Sequence, residues 1–318
     1  MGEQHKQEQI HILTEYSQKA LWEQQLRYLW RTCFGDSQHY EDFYFDKVYA
    51  KNVVYAMEDR GMIHLNSYRC KVMGKYIVLP YIVGVATDVR YRRQGVMRKL
   101  LDFILSDMYE KKVPFTYLMP AKEVYYLPFG FRSISPKVEY EMKTYQVDVA
   151  ENLIYLSYTE LKKMSRDFQK QLFALINNRL EEQYDVFAIH DEMYFELLYE
   201  EKRCQSGDVV FCFQEKITLE YFFGMFAYAM QEDVYYVEQM IAKEREKLLV
   251  GYFKNAVKVK VENSYPYMIR IVHREAFLDL FGQRLAEICE LSPEQMTDTQ
   301  LVEVLFSEKN RVYFAEIV

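Results

Sequence analysis

The 318-residue sequence predicts a mixed fold of the α+β class. Residues 53–87 read as three strands joined by short turns, which is the pattern of an antiparallel meander. Residues 95–111 carry one apolar stripe at helical spacing. Half of the residues are hydrophobic and only 11 are glycine and 7 proline. This composition is enough for buried cores and excludes collagen-like, elastic-linker and disulfide-scaffold proteins.

The first part of the chain predicts two helices followed by the meander. Leu21, Leu26, Leu29 and Trp30 are the apolar points of the first helix. Gly61 ends the turn after the first strand, and Gly74 forms the turn between the second and the third. The predicted helices are residues 20–33 and 41–49, and the predicted strands are residues 53–57, 62–72 and 76–87.

The helix predicted at residues 95–111 is the clearest element, because its apolar residues recur at i, i+3, i+4, i+7, i+8 and i+11. They are Met97, Leu100, Leu101, Ile104, Leu105 and Met108. A strand is predicted at residues 115–119, between Pro114 and Pro120. A helical turn at residues 121–127 and a strand at residues 138–142 follow.

Residues 137–265 contain no proline, and the strand pair predicted at 208–213 and 219–230 echoes the meander of residues 53–87. This echo raises the hypothesis of a degenerate second copy of one fold. Pro266 marks the next boundary, and Ser292 with Pro293 predicts a helix start. The elements predicted beyond residue 145 are a long helix through Leu161, Met164, Phe168, Leu172 and Leu175, strands at 186–189, 208–213, 219–230 and 268–272, and helices at 191–203 and 274–288.

Charge, cysteines and histidines exclude several classes of protein. The formal net charge of −7 disfavours a dedicated nucleic-acid binder and weakly favours a cationic small substrate. The five cysteines form no Cys-x-x-Cys pair and the six histidines no ligand spacing, so we expect no metal site and a reducing compartment. No apolar run is long enough for a signal peptide or a membrane span, which predicts a cytoplasmic protein without membrane partners.

The informative motif follows the last strand of the meander. The strand ends at Thr87, a basic loop with Arg92 and Arg93 comes next, and Gly95 opens the helix. Free backbone N–H groups, the helix dipole and the two arginines together predict a site for a pyrophosphate. The loop is neither a Walker motif nor Gly-x-Gly-x-x-Gly. On spacing alone, an ordinary basic turn before a surface helix is an equally good interpretation.

These residues resemble a known family. Arg92-x-x-Gly95 after a Val-Ala-Thr strand end resembles the acyl-CoA motif of the GNAT-type N-acetyltransferases. Leu118-Met-Pro-Ala121 and Tyr126-Leu-Pro-Phe-Gly-Phe131 narrow the resemblance to the enhanced-intracellular-survival-type (Eis-like) branch, which is bacterial. It implies a GNAT acyltransferase domain at residues 1–145, a degenerate GNAT-like domain at 146–265 and a shortened sterol-carrier-protein-like region at 266–318. Relatives of this type form homo-oligomers, and no strip of this sequence specifies a symmetry.

The resemblance also implies roles for particular residues, with acetyl-CoA as the acyl donor and no metal. Backbone groups of the strand end would bind the pantetheine, the loop and helix start would hold the pyrophosphate, and two residues after the next strand would lie near the cofactor tail. Tyr126 matches the family's general acid and Val318 the residue whose terminal carboxylate is the base. The implied cofactor contacts are Val85, Ala86 and Thr87, then Arg92, Arg93, Gln94, Gly95, Val96, Met97 and Arg98, then Ala121 and Lys122.

The chemistry of direct acetyl transfer is consistent with these roles. A protonated amine must lose a proton before it attacks a thioester, and the departing thiolate must gain one. Cys33 is expected in the core and His64 at an ordinary strand end, so no covalent intermediate is predicted. The prediction is an acetyl-CoA-dependent N-acetyltransferase acting on a cationic amine, either a small-molecule substrate such as an aminoglycoside-like compound or a polyamine, or a lysine side chain. The alternatives are a catalytically silent acyl-CoA-binding sensor and, less well supported, a small-molecule carrier.

Overall fold

The computed structural model describes residues 9–134, 138–144, 153–204, 209–214, 225–230, 234–240, 256–263, 267–289, 291–306 and 312–314. The first part of the chain builds one large sheet with helices on both faces, so the predicted mixed α/β class is confirmed. Its helices are α1 (Tyr16–Phe34), α2 (Gln38–Phe43), which continues as a π-helical segment (Tyr44–Tyr49), and α3 (Val96–Glu110). Its strands up to residue 134 are β1 (His11–Leu13), β2 (Val53–Met57), β3 (Gly61–Val72), β4 (Lys75–Thr87), β5 (Phe115–Leu118) and β6 (Arg132–Ser133).

Strands β2, β3 and β4 form the predicted antiparallel meander. β3 pairs with β2 over its first five residues and with β4 along its whole length. The tight turn between β3 and β4 places Gly74 at φ 77°, in the left-handed region that glycine adopts without a steric cost. The hairpin therefore forms where the sequence predicts it.

Two apolar clusters cover the two faces of this sheet. The stripe of α3 is buried against one face, where Leu100, Leu101 and Ile104 are fully buried. The other face packs against α1 and the π-helical segment through Leu26, Trp30 and other residues. The alternation of side chains along each strand separates the two clusters.

Strand β5 leaves the meander's pattern because it runs parallel to β4. Its other neighbour comes from far along the chain: β14 (Met268–Ile271) pairs antiparallel with β5 and also with β6. Met268 and Ile269 are fully buried there. The sheet order is therefore β1-β2-β3-β4-β5-β14-β6. The boundary expected at residue 266 stays a prediction, but the strand that follows it lies inside the first sheet.

A second sheet is built from the middle of the chain. All of its pairs between described residues are antiparallel. The parallel pair of the first sheet has no counterpart in this part of the structure, and the second-copy hypothesis stays a prediction. Its strands, in the order β13-β7-β12-β11-β10-β8, are β7 (Val138–Thr144), β8 (Leu153–Ser157), β10 (Val210–Gln214), β11 (Met225–Met230), β12 (Val234–Met240) and β13 (Ala256–Asn263).

Further elements join the edges of the first sheet. β9 (Val186–Ala188) pairs with the second half of β3, and β15 (Val312–Tyr313) pairs parallel with β9. None of the described helices is both long and apolar enough to span a lipid bilayer. The remaining helices are α4 (Tyr158–Leu161), α5 (Arg166–Gln183), α6 (Glu192–Cys204), α7 (Arg274–Ile288) and α8 (Asp298–Phe306).

Candidate active site

The site begins where two parallel strands separate. The pairing of β4 with β5 ends at Ile82 and Leu118, while β4 continues to Thr87. Beyond Ile82 the edge of β4 is not paired with β5. This leaves backbone N–H and C=O groups of the strand end available to a ligand that lies between the two strands.

A β-bulge shapes the open part of β4. His64 pairs with Val83 and Met62 with Ala86, so Gly84 and Val85 together lie opposite one residue of β3. Gly84 has φ 61°, and a Cβ there would lie 3.0 Å from Trp30 Cζ3 and 3.3 Å from His64 Cγ. Glycine is needed for both the conformation and the close packing. The predicted contact residues Val85, Ala86 and Thr87 include the bulge and the strand end that follows it.

The basic loop after β4 uses one of its arginines for its own structure. The Asp88 carboxylate accepts a hydrogen bond from the Arg90 backbone N–H at 2.8 Å. The same carboxylate forms an ion pair with the Arg90 guanidinium at 2.9 Å. The Arg90 guanidinium lowers the pKa of the Asp88 carboxyl. Asp59 binds Arg90 as well, at 3.1 Å. Arg90 therefore holds the loop and was not one of the predicted ligand contacts.

The predicted ligand contacts of the loop are exposed. Arg92 donates through Nε to the Thr87 carbonyl oxygen at 3.2 Å, which ties the loop to the strand end. Arg93 has φ 63° and Gly95 φ 82°, and with Gln94 between them they turn the chain into α3. A Cβ built at Gly95 would meet no atom within 4 Å. The loop thus leaves open space in front of the helix.

The start of α3 supplies free donors to that space. Its first backbone hydrogen bond within the helix runs from the Lys99 N–H to the Gly95 carbonyl oxygen at 3.0 Å. The N–H groups of Val96, Met97 and Arg98 precede that bond, and the helix dipole adds positive character. The Arg98 guanidinium lies 5.0 Å from the centre of the Phe129 ring. The chemistry of this set fits a phosphate-bearing ligand.

Tyr126 lies beside the same opening. Two short 3₁₀ turns (Glu123–Tyr125 and Leu127–Phe129) flank it, and its ring packs 5.9 Å from Phe131. It belongs to the apolar cluster that also contains Ile82, Leu118 and Val96. Burial raises the pKa of its phenol to about 12. This pKa keeps the hydroxyl protonated at neutral pH. No described residue forms a hydrogen bond with it, so it is free to donate.

The remaining predicted site residues are Ala121, Lys122 and Val318. Ala121 and Lys122 are exposed on the segment that joins β5 to the Tyr126 turns. Val318 lies outside the described residues. Phe314 is described, and its ring stacks on Tyr117 of β5 at 3.9 Å with an interplanar angle of 11°.

The sequence interpretation missed a buried polar network under the open strand. His64 is not at a strand end but is the fourth residue of β3, fully buried, with Nδ1 3.1 Å from the Tyr44 hydroxyl. Asn52 and Lys19 belong to the same network. The sequence does contain a sign of this network, because His64 and Asn66 are polar residues on an otherwise apolar face of β3. The pattern of one strand does not show which polar side chains from other elements contact them.

Within the described part of the chain, no group of three or more His, Cys, Asp or Glu residues is arranged to hold a metal ion. The donors of the site are backbone N–H groups, arginines and a phenol. These groups suit anion binding and proton donation rather than metal coordination.

Comparison with known proteins agrees with this geometry. Residues 16–134 match the family model described as an acetyltransferase (GNAT) domain. No curated protein sequence gave a significant match.

Several solved structures share the fold. A GCN5-related N-acetyltransferase from Anabaena variabilis has a TM-score of 0.64 at 14% identity, covering 86% of this chain and 75% of that one. A conserved protein of unknown function from Enterococcus faecalis has a TM-score of 0.61 at 14% identity, with 86% and 74% covered. Eis1 from Mycobacterium abscessus has a TM-score of 0.52 at 12% identity, with 86% and 76% covered.

The family match, the parallel strands that separate at Ile82 and the anion-binding start of α3 lead to one assignment. The predicted GNAT fold and the prediction of an N-acetyltransferase are confirmed at the level of this domain. Residues 16–134 match the GNAT acetyltransferase domain, which identifies this part of the chain as an N-acetyltransferase domain.

Proposed function

We propose that the protein transfers an acetyl group from acetyl-CoA directly to a primary amine of a cationic acceptor. The observation that carries this proposal is the alignment of three features along one opening. These are the unpaired end of β4, the donor-rich start of α3 and the buried phenol of Tyr126. Together they match the reaction's needs for a bound thioester, a bound phosphate group and a proton donor.

The residues that would hold acetyl-CoA divide into two groups. Backbone groups of Val85, Ala86 and Thr87 would bind the pantetheine, because this edge of β4 is not paired with β5. The segment from Arg92 to Arg98 would hold the pyrophosphate with charges and free N–H groups. Ala121 and Lys122 would lie near the cofactor tail. The bound thioester supplies the acetyl group.

Tyr126 would donate a proton to the leaving thiolate. A pKa of about 12 keeps the phenol protonated at neutral pH, and its hydroxyl has no described partner that would have to be displaced. A backbone N–H of the β4 end would polarise the carbonyl during attack. These roles need no covalent enzyme intermediate.

The experiment is a screen of amines in which release of the CoA thiol is measured with wild type and Tyr126→Phe. We expect release with at least one cationic amine, and a rate about 100-fold lower in the variant with acetyl-CoA affinity unchanged. The matched control is Tyr125→Phe, since Tyr125 is a half-exposed neighbour. Tight acetyl-CoA binding without thiol release across the screen would instead support the catalytically silent sensor.

The proposed base is the carboxylate of Val318. This proposal is supported by Phe314, whose ring stacks on Tyr117 of β5, one residue before the last β4–β5 pair. Adding a few residues after Val318 should lower the turnover rate and leave acetyl-CoA affinity unchanged. An extended protein as fast as the parent would contradict the role.

We also propose that the chain belongs to the Eis-like branch and has the three-part organisation expected for it. The shared fold of Eis1 from Mycobacterium abscessus is compatible with this assignment. The sterol-carrier-like region would then begin near residue 266, and its first strand, β14, would complete the acetyltransferase sheet. The acceptor would be an aminoglycoside-like compound, a polyamine or a lysine side chain.

A further inference from the structure

Two buried donors near the opening have no partner among the described residues. They are His64 Nε2 and Asn66 Nδ2, on side chains that are 0% and 5% exposed. Folded proteins rarely bury a donor without an acceptor, because the lost hydrogen bond to water is not replaced. Such atoms make this position a candidate for binding a polar group of another molecule or a water.

The position of these donors relates them to the acetyl site. His64 and Asn66 are two residues apart on β3 and lie on the same face of the strand. Their partners across β4 are Val83 and Tyr81, which flank Ile82, where the β4–β5 pairing ends. The imidazole also borders the bulge, since a Cβ at Gly84 would lie 3.4 Å from His64 Cδ2, the carbon bonded to Nε2.

The surrounding network fixes which atoms are donors. Asn52 Oδ1 faces the Lys19 ammonium at 3.5 Å, so its Nδ2 is the atom 3.3 Å from His64 Nδ1 and 3.1 Å from Asn66 Oδ1. An amide nitrogen only donates, so we assign His64 Nδ1 as an acceptor, which the Tyr44 hydroxyl 3.1 Å away can also satisfy as a donor. The proton of the neutral imidazole is then on Nε2. His64 and Asn66 are both anchored through their acceptor atoms, and each retains a free donor.

Two neutral donors select an oxygen atom rather than an ammonium group. Burial lowers the pKa of His64 to about 3, so the ring carries no charge at neutral pH. The nearby Lys19 ammonium disfavours a second cation at this point. A hydroxyl or carbonyl oxygen meets both requirements because it accepts hydrogen bonds and carries no positive charge.

We propose that His64 and Asn66 form an oxygen-binding subsite for the acceptor, which holds a hydroxyl or carbonyl oxygen next to the reacting amine. The subsite rests on the proposed acetyl transfer and narrows its acceptor to amines that carry such an oxygen. An amino sugar or amino alcohol fits this description, whereas a simple polyamine lacks the oxygen.

The test uses matched acceptors that differ by one hydroxyl: 1,3-diamino-2-propanol and 1,3-diaminopropane. The full-length wild type should prefer the hydroxylated diamine by about tenfold in kcat/KM, the value of one hydrogen bond. His64→Phe and Asn66→Leu should abolish this preference, lowering kcat/KM for the hydroxylated diamine about tenfold more than for 1,3-diaminopropane. His64→Gln, whose amide has both an acceptor and a donor, should restore part of the preference.

Two results would overturn the subsite. A wild type that uses both diamines equally has no such oxygen contact, and variants that slow both diamines equally reveal only a structural role. Acetyl-CoA affinity, measured by calorimetry, identifies variants that have simply lost the fold. If the wild type releases CoA thiol with no amine at all, the proposed acetyl transfer fails instead, and this outcome is distinct from both others.

Discussion

Lys19 places an ammonium group on the inner side of α1, where the side chain is 2% exposed. Its Nζ donates to the carbonyl oxygens of Tyr49, at 2.6 Å, and Asn52. Burial nevertheless lowers the pKa of the ammonium from 10.5 to about 8. The hydrogen bonds therefore offset only part of the cost of removing this charge from water.

This shift predicts a pH dependence of stability. Between pH 8 and pH 10.5 the unfolded chain binds a proton at Lys19 that the folded chain has lost, so raising the pH through this window stabilises the fold. Relative to wild type, Lys19→Met should reduce the rise in unfolding free energy between pH 8 and pH 10 by about 1–2 kcal/mol. Urea titrations at the two pH values measure this rise, with the exposed Lys51→Met as control. Equal rises in wild type and Lys19→Met would contradict the assignment.

At the scale of elements, the junction of β4, the basic loop and α3 carries the cofactor assignment. Three residues of this segment, Gly84, Arg93 and Gly95, have a positive φ and adopt the left-handed backbone conformation. The strand bulge and the helix start are thus both set by local conformation. The arginine that stabilises the loop, Arg90, is distinct from the exposed Arg92 and Arg93.

This division predicts different results for the arginines of the loop. Arg92→Ala combined with Arg93→Ala should weaken acetyl-CoA binding about tenfold in calorimetry, because two charges facing the pyrophosphate are lost. The loss should shrink at high salt, since exposed charges are screened. Arg166→Ala, an exposed arginine at the start of α5, is the matched control. Unchanged affinity in the double variant would refute the proposed pyrophosphate site.

At the scale of the whole molecule, the acetyltransferase sheet is not built from one continuous stretch of chain. β14 contributes Met268 and Ile269 to its two cores, and it separates β5 from β6. β9 and β15 extend the other side of the sheet through β3. Stability of the first domain therefore depends on residues far beyond residue 145.

A fragment ending at residue 145 should consequently fail to form the native sheet. It lacks the strand that pairs with β5 and exposes the apolar surface which β14 covers. We expect no cooperative thermal transition in near-ultraviolet circular dichroism, whereas the full chain should show one. As a milder change, Ile269→Ala in the full chain should cost about 2–5 kcal/mol of unfolding free energy. A fragment that melts like the full chain would show that β14 is dispensable.

Local patterns were sufficient to predict most elements. The meander, the apolar stripe of α3 and the turn at Gly74 depend on side-chain periodicity and on glycine, both of which are properties of a short segment. For the same reason the exposed loop from Arg92 to Gly95 could be recognised before the fold was known. Tyr126 could be chosen among 29 tyrosines only through its neighbours in the motif.

The sequence by itself determined the mixed α/β class, the two helices and the meander followed by α3 and β5, and the motif of the acetyltransferase domain. Only the tertiary structure decided that β14 lies between β5 and β6, and that His64 Nε2 and Asn66 Nδ2 are buried without a partner among the described residues. The physical reason is the range of the interactions. Helix and hairpin patterns are satisfied by near neighbours, whereas the partner of a sheet edge or of a buried polar group is selected by packing between distant parts of the chain.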